Sequence, residues 1–175
     1  MMKLVQAPDV MLENEVRKFD LENIHPAPIA LDMFDVMQKN GGLGLSANQV
    51  GFDGKIFVMK TFLNKRYGSP LAVINPVIKG LSKEMEVGPE GCLSHPGLIL
   101  KVKRPISCVV EFDTLADDMK TIMKVETKFD DLDARIFLHE YDHLYGIQFI
   151  DRVSKLKLQL AEKKRLKQEK RKTNG

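Results

Sequence analysis

Long apolar runs are missing from this chain of 175 residues, and none approaches the length of about 20 residues that a membrane-spanning helix needs. The first residues lack the apolar block of a secretory signal, because Asp9 and Glu13 soon interrupt them. Cysteine is scarce too, and two thiols in a chain without an export signal predict a reducing compartment. We therefore expect a cytoplasmic protein with no membrane partner.

Internal repeats and low-complexity linkers are also absent, and the length suits one domain with a substantial core. The charge is uneven along the chain. From residue 154 onward nine Lys/Arg and two acids give +7, whereas the remaining 18 basic and 22 acidic residues give −4. We expect one domain over residues 1–153 and a basic helix or tail over 154–175, which alone favours nucleic acid or another anionic surface.

The most informative pattern that is present is His-Glu-x-x-His at residues 139–143, preceded by apolar residues at helical spacing. On a helix, residues four apart lie one turn above each other, so His139 and His143 point the same way. Two such imidazoles can share one divalent metal, and Glu140 between them can serve as general base or proton shuttle. The pattern predicts a metal site on this helix.

The third metal ligand has three candidate sources. One metalloprotease class uses a later histidine, but Phe149 stands at that position and excludes the class. The thermolysin-like class uses a later glutamate, and Glu162 lies at a plausible distance, although in a very polar segment. Upstream, Cys92 is framed by a glycine and turn-forming residues, and a thiolate is a strong zinc or iron ligand. We favour Cys92.

The remaining pattern predicts a β-rich middle between helical ends. Period-two apolar spacing predicts a core position for Cys108, whereas His25 and His95 have no helical partner and are expected to be loop histidines. Helices are expected at residues 10–19, 29–37 and 155–172. Strands are expected at residues 55–60, 71–78, 98–103, 106–112, 119–125 and 147–150.

Three stretches together resemble the signature motifs of the peptide deformylases, in the order that the family has them. They are Gly-Leu-Gly-Leu-Ser-Ala-Asn-Gln at 42–49, Glu-Gly-Cys-Leu-Ser at 90–94 and His-Glu-Tyr-Asp-His at 139–143. The resemblance covers roughly residues 4–153. It implies an α+β fold in which antiparallel β-sheets surround a central metal-binding helix, followed by a C-terminal helix.

The resemblance also implies an activity. Members hydrolyse the N-formyl group from the N-terminal methionine of newly synthesised polypeptides, releasing formate through a hydroxide held on the metal. The family usually works with one Fe2+ ion and tolerates Zn2+, Ni2+ or Co2+. Formyl-methionyl nascent peptides would therefore be the partners, and the chain would act in N-terminal processing during protein biosynthesis.

By motif position, the resemblance implies roles for particular residues. Cys92, His139 and His143 would hold the metal, which leaves a fourth position for water. Glu140 would carry protons, while the Gln49 amide and the Leu93 backbone N–H would donate to the oxyanion. Glu90 and Arg104 resemble an ion pair that holds the cysteine loop. The residues expected to contact substrate are Leu43, Gly44, Gly91, Leu132, Arg135 and Ile136.

Two residues depart from the family pattern. Ser46 replaces the first of two usual alanines, a change we expect to be tolerated. Arg135 stands where members usually carry an apolar residue of the methionine pocket. Either its stem packs while its head reaches solvent or an acid such as Asp131 or Glu90, or it makes the pocket for the first side chain more polar.

The basic tail suits docking on ribosomal RNA, because formylmethionine emerges at the ribosome; a helix that only aids solubility is the alternative. For the whole chain, three interpretations remain. They are a deformylase, a zinc endopeptidase with Glu162 as third ligand, and a non-catalytic metal or nucleic-acid binding module. The presence of both Glu140 and Gln49 argues against the last.

Overall fold

A computed structural model describes residues 2–62 and 68–173 of the chain, so Met1 and the last two residues of the predicted tail lie outside it. Its helices are α1 (Ala27–Lys39), α2 (Asp131–Leu144) and α3 (Lys155–Thr173). Its strands are β1 (Gly44–Ser46), β2 (Ile56–Thr61), β3 (Ser69–Leu81), β4 (Met85–Cys92), β5 (His95–Pro105), β6 (Ser107–Leu115) and β7 (Ile122–Asp130).

The strands form two antiparallel sheets on either side of α2. Five of them pair in the order β1-β2-β3-β6-β7, and β4 pairs with β5. Helix α2 contacts both sheets and buries side chains on nearly all of its faces. The expected α+β fold, with antiparallel sheets around a central helix and a C-terminal helix, is confirmed.

An aromatic cluster fixes α2 against the larger sheet. Phe137 of α2 lies 5.2 Å from Phe57 and 5.4 Å from Phe129 between ring centroids, and each of these rings is fully buried. Aromatic rings at such spacing stabilise the fold by more than the area they bury would account for. Cys108 packs in the same cluster at 1% exposure, as predicted, and burial raises the pKa of its thiol to about 12. Cys108 is therefore a core residue.

The two ends of α2 are set by local chemistry. Asp131 and Asp133 lie in its first turn, where negative charge is favourable, and Asp133 accepts hydrogen bonds from Thr61 and Phe62. Beyond the other end, Gly146 has φ +70°, and a Cβ there would collide with the backbone of Glu13. The position of α2 along its axis is thus fixed at both ends.

Two predicted elements are wrong. The helix expected at 10–19 is only a 3-10 turn, Val10–Leu12, because the chain then extends along the end of α2 and Val16 N–H bonds the carbonyl of Leu144. The strand expected at 147–150 is replaced by a 3-10 turn, Phe149–Arg152. The Asp151 carboxylate accepts a hydrogen bond from Gln148 N–H and so caps the start of this turn. The other predicted helices and strands are found, with ends shifted by up to five residues.

Within the described residues, no helix is both long and apolar enough to span a membrane.

Candidate metal centre and active site

Helix α2 and strand β4 bring Cys92, His139 and His143 together. The histidines lie on one face of α2, and Cys92 ends β4 just before a two-residue turn into β5. One ligand atom from each residue lies within 4.8 Å of the others, and Cys92 Sγ is 3.3 Å from His143 Nε2. In the described part of the chain, this is the one such group of three His, Cys, Asp or Glu donors.

The donor set fits a divalent transition metal. One thiolate and two imidazoles suit zinc or ferrous iron, and three protein ligands leave a coordination position for water. His139 Nδ1 lies 3.0 Å from Glu90 Oε2, which leaves Nε2 as the nitrogen for a metal. Burial alone lowers the pKa of His139, but hydrogen bonds to Cys92 and Glu90 outweigh it and raise the pKa to about 10. The Glu90 carboxylate thus favours positive charge at His139.

A network of buried ion pairs contacts the group of three candidate ligands through Glu90. Arg104 Nε donates to Glu90 Oε1 at 2.8 Å, and Arg104 Nη1 donates to Asp142 Oδ2 at 2.6 Å. Arg135 Nη1 also donates to Glu90 Oε1, at 2.9 Å, and Arg152 pairs with Asp142. Burial alone raises the pKa of Glu90, but hydrogen bonds from His139 and Arg104 lower it to about 2. The network thus holds a charged carboxylate beside a candidate metal ligand.

Glu140 is, with Glu90, one of two buried acids that line the cavity. It is 4% exposed, and burial raises its pKa above the usual value, although the nearby His139 acts in the opposite direction. Gly44 lies against its carboxylate so closely that a Cβ there would collide with Oε1. The missing side chain at residue 44 therefore makes room for this acid.

The Gln49 amide is held with its N–H groups toward the thiol. Its Oε1 accepts from Ser46 N–H at 2.9 Å, and its Nε2 donates to Cys92 Sγ at 3.2 Å and to Ser94 Oγ at 3.0 Å. Leu93, the other predicted oxyanion donor, occupies the turn that directly follows Cys92. Both predicted donors therefore lie beside the cluster.

A cavity of about 670 Å³ opens onto these groups. Glu140, Gln49, Cys92 and His139 line it. So do all the residues expected to contact substrate: Leu43, Gly44, Gly91, Leu132, Arg135 and Ile136.

The head of Arg135 reaches Glu90 rather than Asp131, the other acid considered. Besides Glu90, it donates to the backbone carbonyls of Val102 at 3.1 Å and Glu86 at 3.2 Å. Arg135 thus lines the cavity while its charge is paired with the Glu90 carboxylate.

Other candidate ligands lie elsewhere. Glu162 is exposed on α3 and is not part of the donor group, which removes the structural basis for the endopeptidase alternative. His95 lies at the cavity edge, but its Nε2 is 2.6 Å from Gln148 Oε1. His25 Nε2 is 3.0 Å from the Lys120 carbonyl. Neither histidine belongs to the donor group.

Sequence reasoning missed several residues around the site. Asp142 links two arginines, Ser94 fixes Gln49, and Asn48 donates to the His143 carbonyl at 2.6 Å. The sequence contained a signal for Asp142, because a charged residue inside a helix predicted to be central needs a partner. Ser46 had one too, as a departure from the family pattern. Ser94 also had a signal, because it is the last residue of the motif at 90–94.

Fold and site together define an α+β metalloprotein with His-Glu-x-x-His on its central helix. The sequence matches the family described as polypeptide deformylase over residues 1–159, and the chain belongs to that family.

Individual relatives agree with this assignment. The chain is 38% identical over 153 residues to the chloroplastic peptide deformylase 1B of Oryza sativa, covering 87% of this chain and 55% of that protein. It thus spans little more than half of this relative. The crystal structure of Arabidopsis thaliana peptide deformylase 1B with an inhibitor has a TM-score of 0.81 at 32% identity, covering 99% of this chain and 93% of that one. A peptide deformylase from Acinetobacter baumannii bound to Met-Ala-Ser has a TM-score of 0.76 at 27% identity, covering 87% of this chain and 98% of that one.

Replacing Arg104 with methionine tests the buried network. We expect Arg104→Met to lower the free energy of unfolding by about 3–5 kcal/mol, because it removes a cation shared by two buried carboxylates. Lys124→Met is the matched control, since Lys124 is 63% exposed and its pair with Asp113 is worth at most about 1 kcal/mol. Urea unfolding measures both, and equal losses would contradict a supporting role for the network.

Proposed function

We propose that the chain removes the N-formyl group from the N-terminal methionine of new polypeptides and releases formate. The observation that carries this proposal is one cavity lined by two members of a Cys-His-His donor set, a buried glutamate and an amide donor. Formyl-methionyl peptides are the proposed substrates. The Met-Ala-Ser bound to the Acinetobacter baumannii relative, a peptide with the N-terminus that deformylation leaves, supports this choice.

Cys92, His139 and His143 are the proposed metal ligands, with one Fe2+ as the native ion and Zn2+, Ni2+ or Co2+ as substitutes. The thiolate adds negative charge to the site and suits ferrous iron. When bound, the metal supplies Lewis acidity, which lowers the pKa of a water molecule toward neutrality and polarises a carbonyl. The Glu90 carboxylate accepts a hydrogen bond from His139 Nδ1 and thereby sets the orientation of the His139 ring.

Glu140 is the proposed proton carrier. It would take a proton from the attacking water and deliver it to the departing amine, which is otherwise a poor leaving group. Burial raises its pKa, and a base of raised pKa accepts protons more readily near neutral pH. Gln49 Nε2 and the Leu93 N–H are the proposed oxyanion donors. As neutral donors fixed in advance, they would stabilise charge on the former carbonyl oxygen.

A formate-release assay on formyl-Met-Ala-Ser tests the reaction and its residues. Glu140→Gln should keep the metal but lower kcat by about 10²–10⁴, since it cannot carry a proton. Cys92→Ala should lose the metal. Glu162→Ala, the control, should change neither property. Metal retained in Cys92→Ala but lost in Glu162→Ala would contradict the proposal and favour the endopeptidase.

Arg135 is proposed to make the pocket for the first side chain partly polar, together with the apolar Leu132 and Ile136. Arg135→Ile should lower kcat/KM for formyl-peptides with a polar first residue relative to formyl-Met by about tenfold, because an apolar wall discriminates by about 1–3 kcal/mol. Arg17→Ile, which removes an exposed pair with Asp53, is the control. Unchanged preferences in Arg135→Ile would refute the role of Arg135.

We also propose that residues 1–153 form the catalytic domain and that the basic helix over 154–175 docks on ribosomal RNA. The inner face of α3 packs Leu158 and Ala161 against the apolar cluster around Leu98 and Leu100. Its outer face presents Lys163, Lys164 and Lys167 to solvent. Deleting the helix would uncover the cluster, so changing these charges is the cleaner test.

The triple substitution of Lys163, Lys164 and Lys167 by Gln should weaken co-sedimentation with ribosomes. Each lost phosphate contact reduces the slope of log affinity against log salt by about 0.7–0.9, so three lost contacts should change the slope by about 2–3. Activity on short peptides should not change. The matched control replaces the exposed Lys83, Lys101 and Lys120 by Gln. If both triple variants bind ribosomes equally, docking through α3 is wrong.

The proposed compartment is the cytoplasm, where thiols stay reduced and where protein synthesis can begin with formylmethionine. The chloroplastic name of the rice relative makes the chloroplast the alternative. Imaging the tagged full-length protein in its source cell distinguishes the two.

A further inference from the structure

Ser46 makes a contact that alanine, the residue usual in this motif of the resembled family, cannot make. Its side chain is fully buried, and its Oγ lies 2.8 Å from Glu140 Oε2. The same Oγ also lies 2.8 Å from the backbone carbonyl of Glu140. One hydroxyl hydrogen therefore faces two acceptors.

Of these two acceptors, the Glu140 carboxylate gains more from the Ser46 hydrogen bond than the Glu140 backbone carbonyl does. Within an α-helix, the carbonyl of residue 140 is the regular acceptor for the N–H four residues later, so it has a partner without Ser46. The carboxylate of Glu140 is buried, and a buried charge is costly unless it is hydrogen-bonded. The hydroxyl hydrogen is therefore better placed toward Oε2, where the bond is charge-assisted.

The two oxygens of Glu140 consequently differ in their surroundings. Oε2 is held by the Ser46 hydroxyl, whereas Oε1 lies against Gly44, which has no side chain. Gly44 and Glu140 both line the cavity. With Oε2 held, Oε1 remains as the oxygen available to exchange protons with a reacting molecule.

We propose that Ser46 is a positioning residue that fixes the rotamer of Glu140 and reserves Oε1 for proton transfer. The proposal deepens the proposed function and rests on it, because it assigns a purpose to the orientation of the proton carrier. With alanine at residue 46, the contact to Oε2 would be missing.

Ser46→Ala and Thr114→Val form the matched pair that tests the proposal. Both remove a buried hydroxyl, but Thr114 Oγ1 donates only to the Ala72 carbonyl and lies outside the cavity. After loading both variants with the same metal, we expect kcat on formyl-Met-Ala-Ser to fall about tenfold in Ser46→Ala, with KM and metal content unchanged. Thr114→Val should keep the kcat of the unmodified chain.

A binding measurement separates this proposal from the proposed function. Acetohydroxamic acid binds metals as its anion and gives up a proton, which Glu140 can accept at the cavity, whereas the other cavity acid, Glu90, is paired with two arginines. Its dissociation constant for the metal-loaded protein should rise about tenfold in Ser46→Ala and stay constant in Thr114→Val. If the unmodified chain releases no formate, the proposed function fails, while the hydroxamate comparison still decides the role of Ser46.

Two results would overturn the role of Ser46. The first is that both variants match in kcat and in hydroxamate affinity, which would make the hydroxyl a structural contact to the helix backbone. The second is that Ser46→Ala loses metal in proportion to activity, which would place its effect on the ligands and not on Glu140.

Discussion

The buried carboxylate of Glu90 is the point on which the arrangement of the site depends. It accepts from Arg104, Arg135 and His139, and so ties together β4, β5 and α2. Cys92 lies two residues further along β4, and His143 lies one turn beyond His139. The interaction therefore fixes both the orientation of one candidate ligand and the distance between the thiol and the two imidazoles. A buried carboxylate shared in this way stays charged, and its charge in turn favours a cation in the cluster.

The buried carboxylates of the central helix each have a hydrogen-bond partner, which offsets the cost of burying them. Asp133 is bonded by Thr61 and Phe62, Asp142 by two arginines, and Glu140 by Ser46. The apolar side of the helix is fixed by the phenylalanine cluster around Phe137. The same helix can therefore be both the centre of the core and the wall of a reactive cavity, because packing and hydrogen bonding are assigned to different faces.

Much of this could be predicted from the sequence where the signal was local. Helical spacing predicted α2 and α3, period-two spacing predicted most strands, and the His-Glu-x-x-His pattern with a framed thiol predicted the donor group. Strand β4 was not predicted, because Gly88, Pro89 and Gly91 are typical of turns and its pairing with β5 is what makes it a strand. The contacts of Ser46 and Asp142 depend on partners distant in sequence, which no pattern within one segment can reveal.

X-ray absorption spectroscopy of the zinc-loaded chain tests the central claim most directly. If Cys92, His139 and His143 hold the ion, the spectrum should contain one sulfur at about 2.3 Å, two imidazole nitrogens at about 2.0–2.1 Å and one further light atom. The sulfur contribution should disappear in Cys92→Ser. A shell of nitrogen and oxygen alone in the unmodified chain, or a sulfur signal that survives Cys92→Ser, would contradict the account.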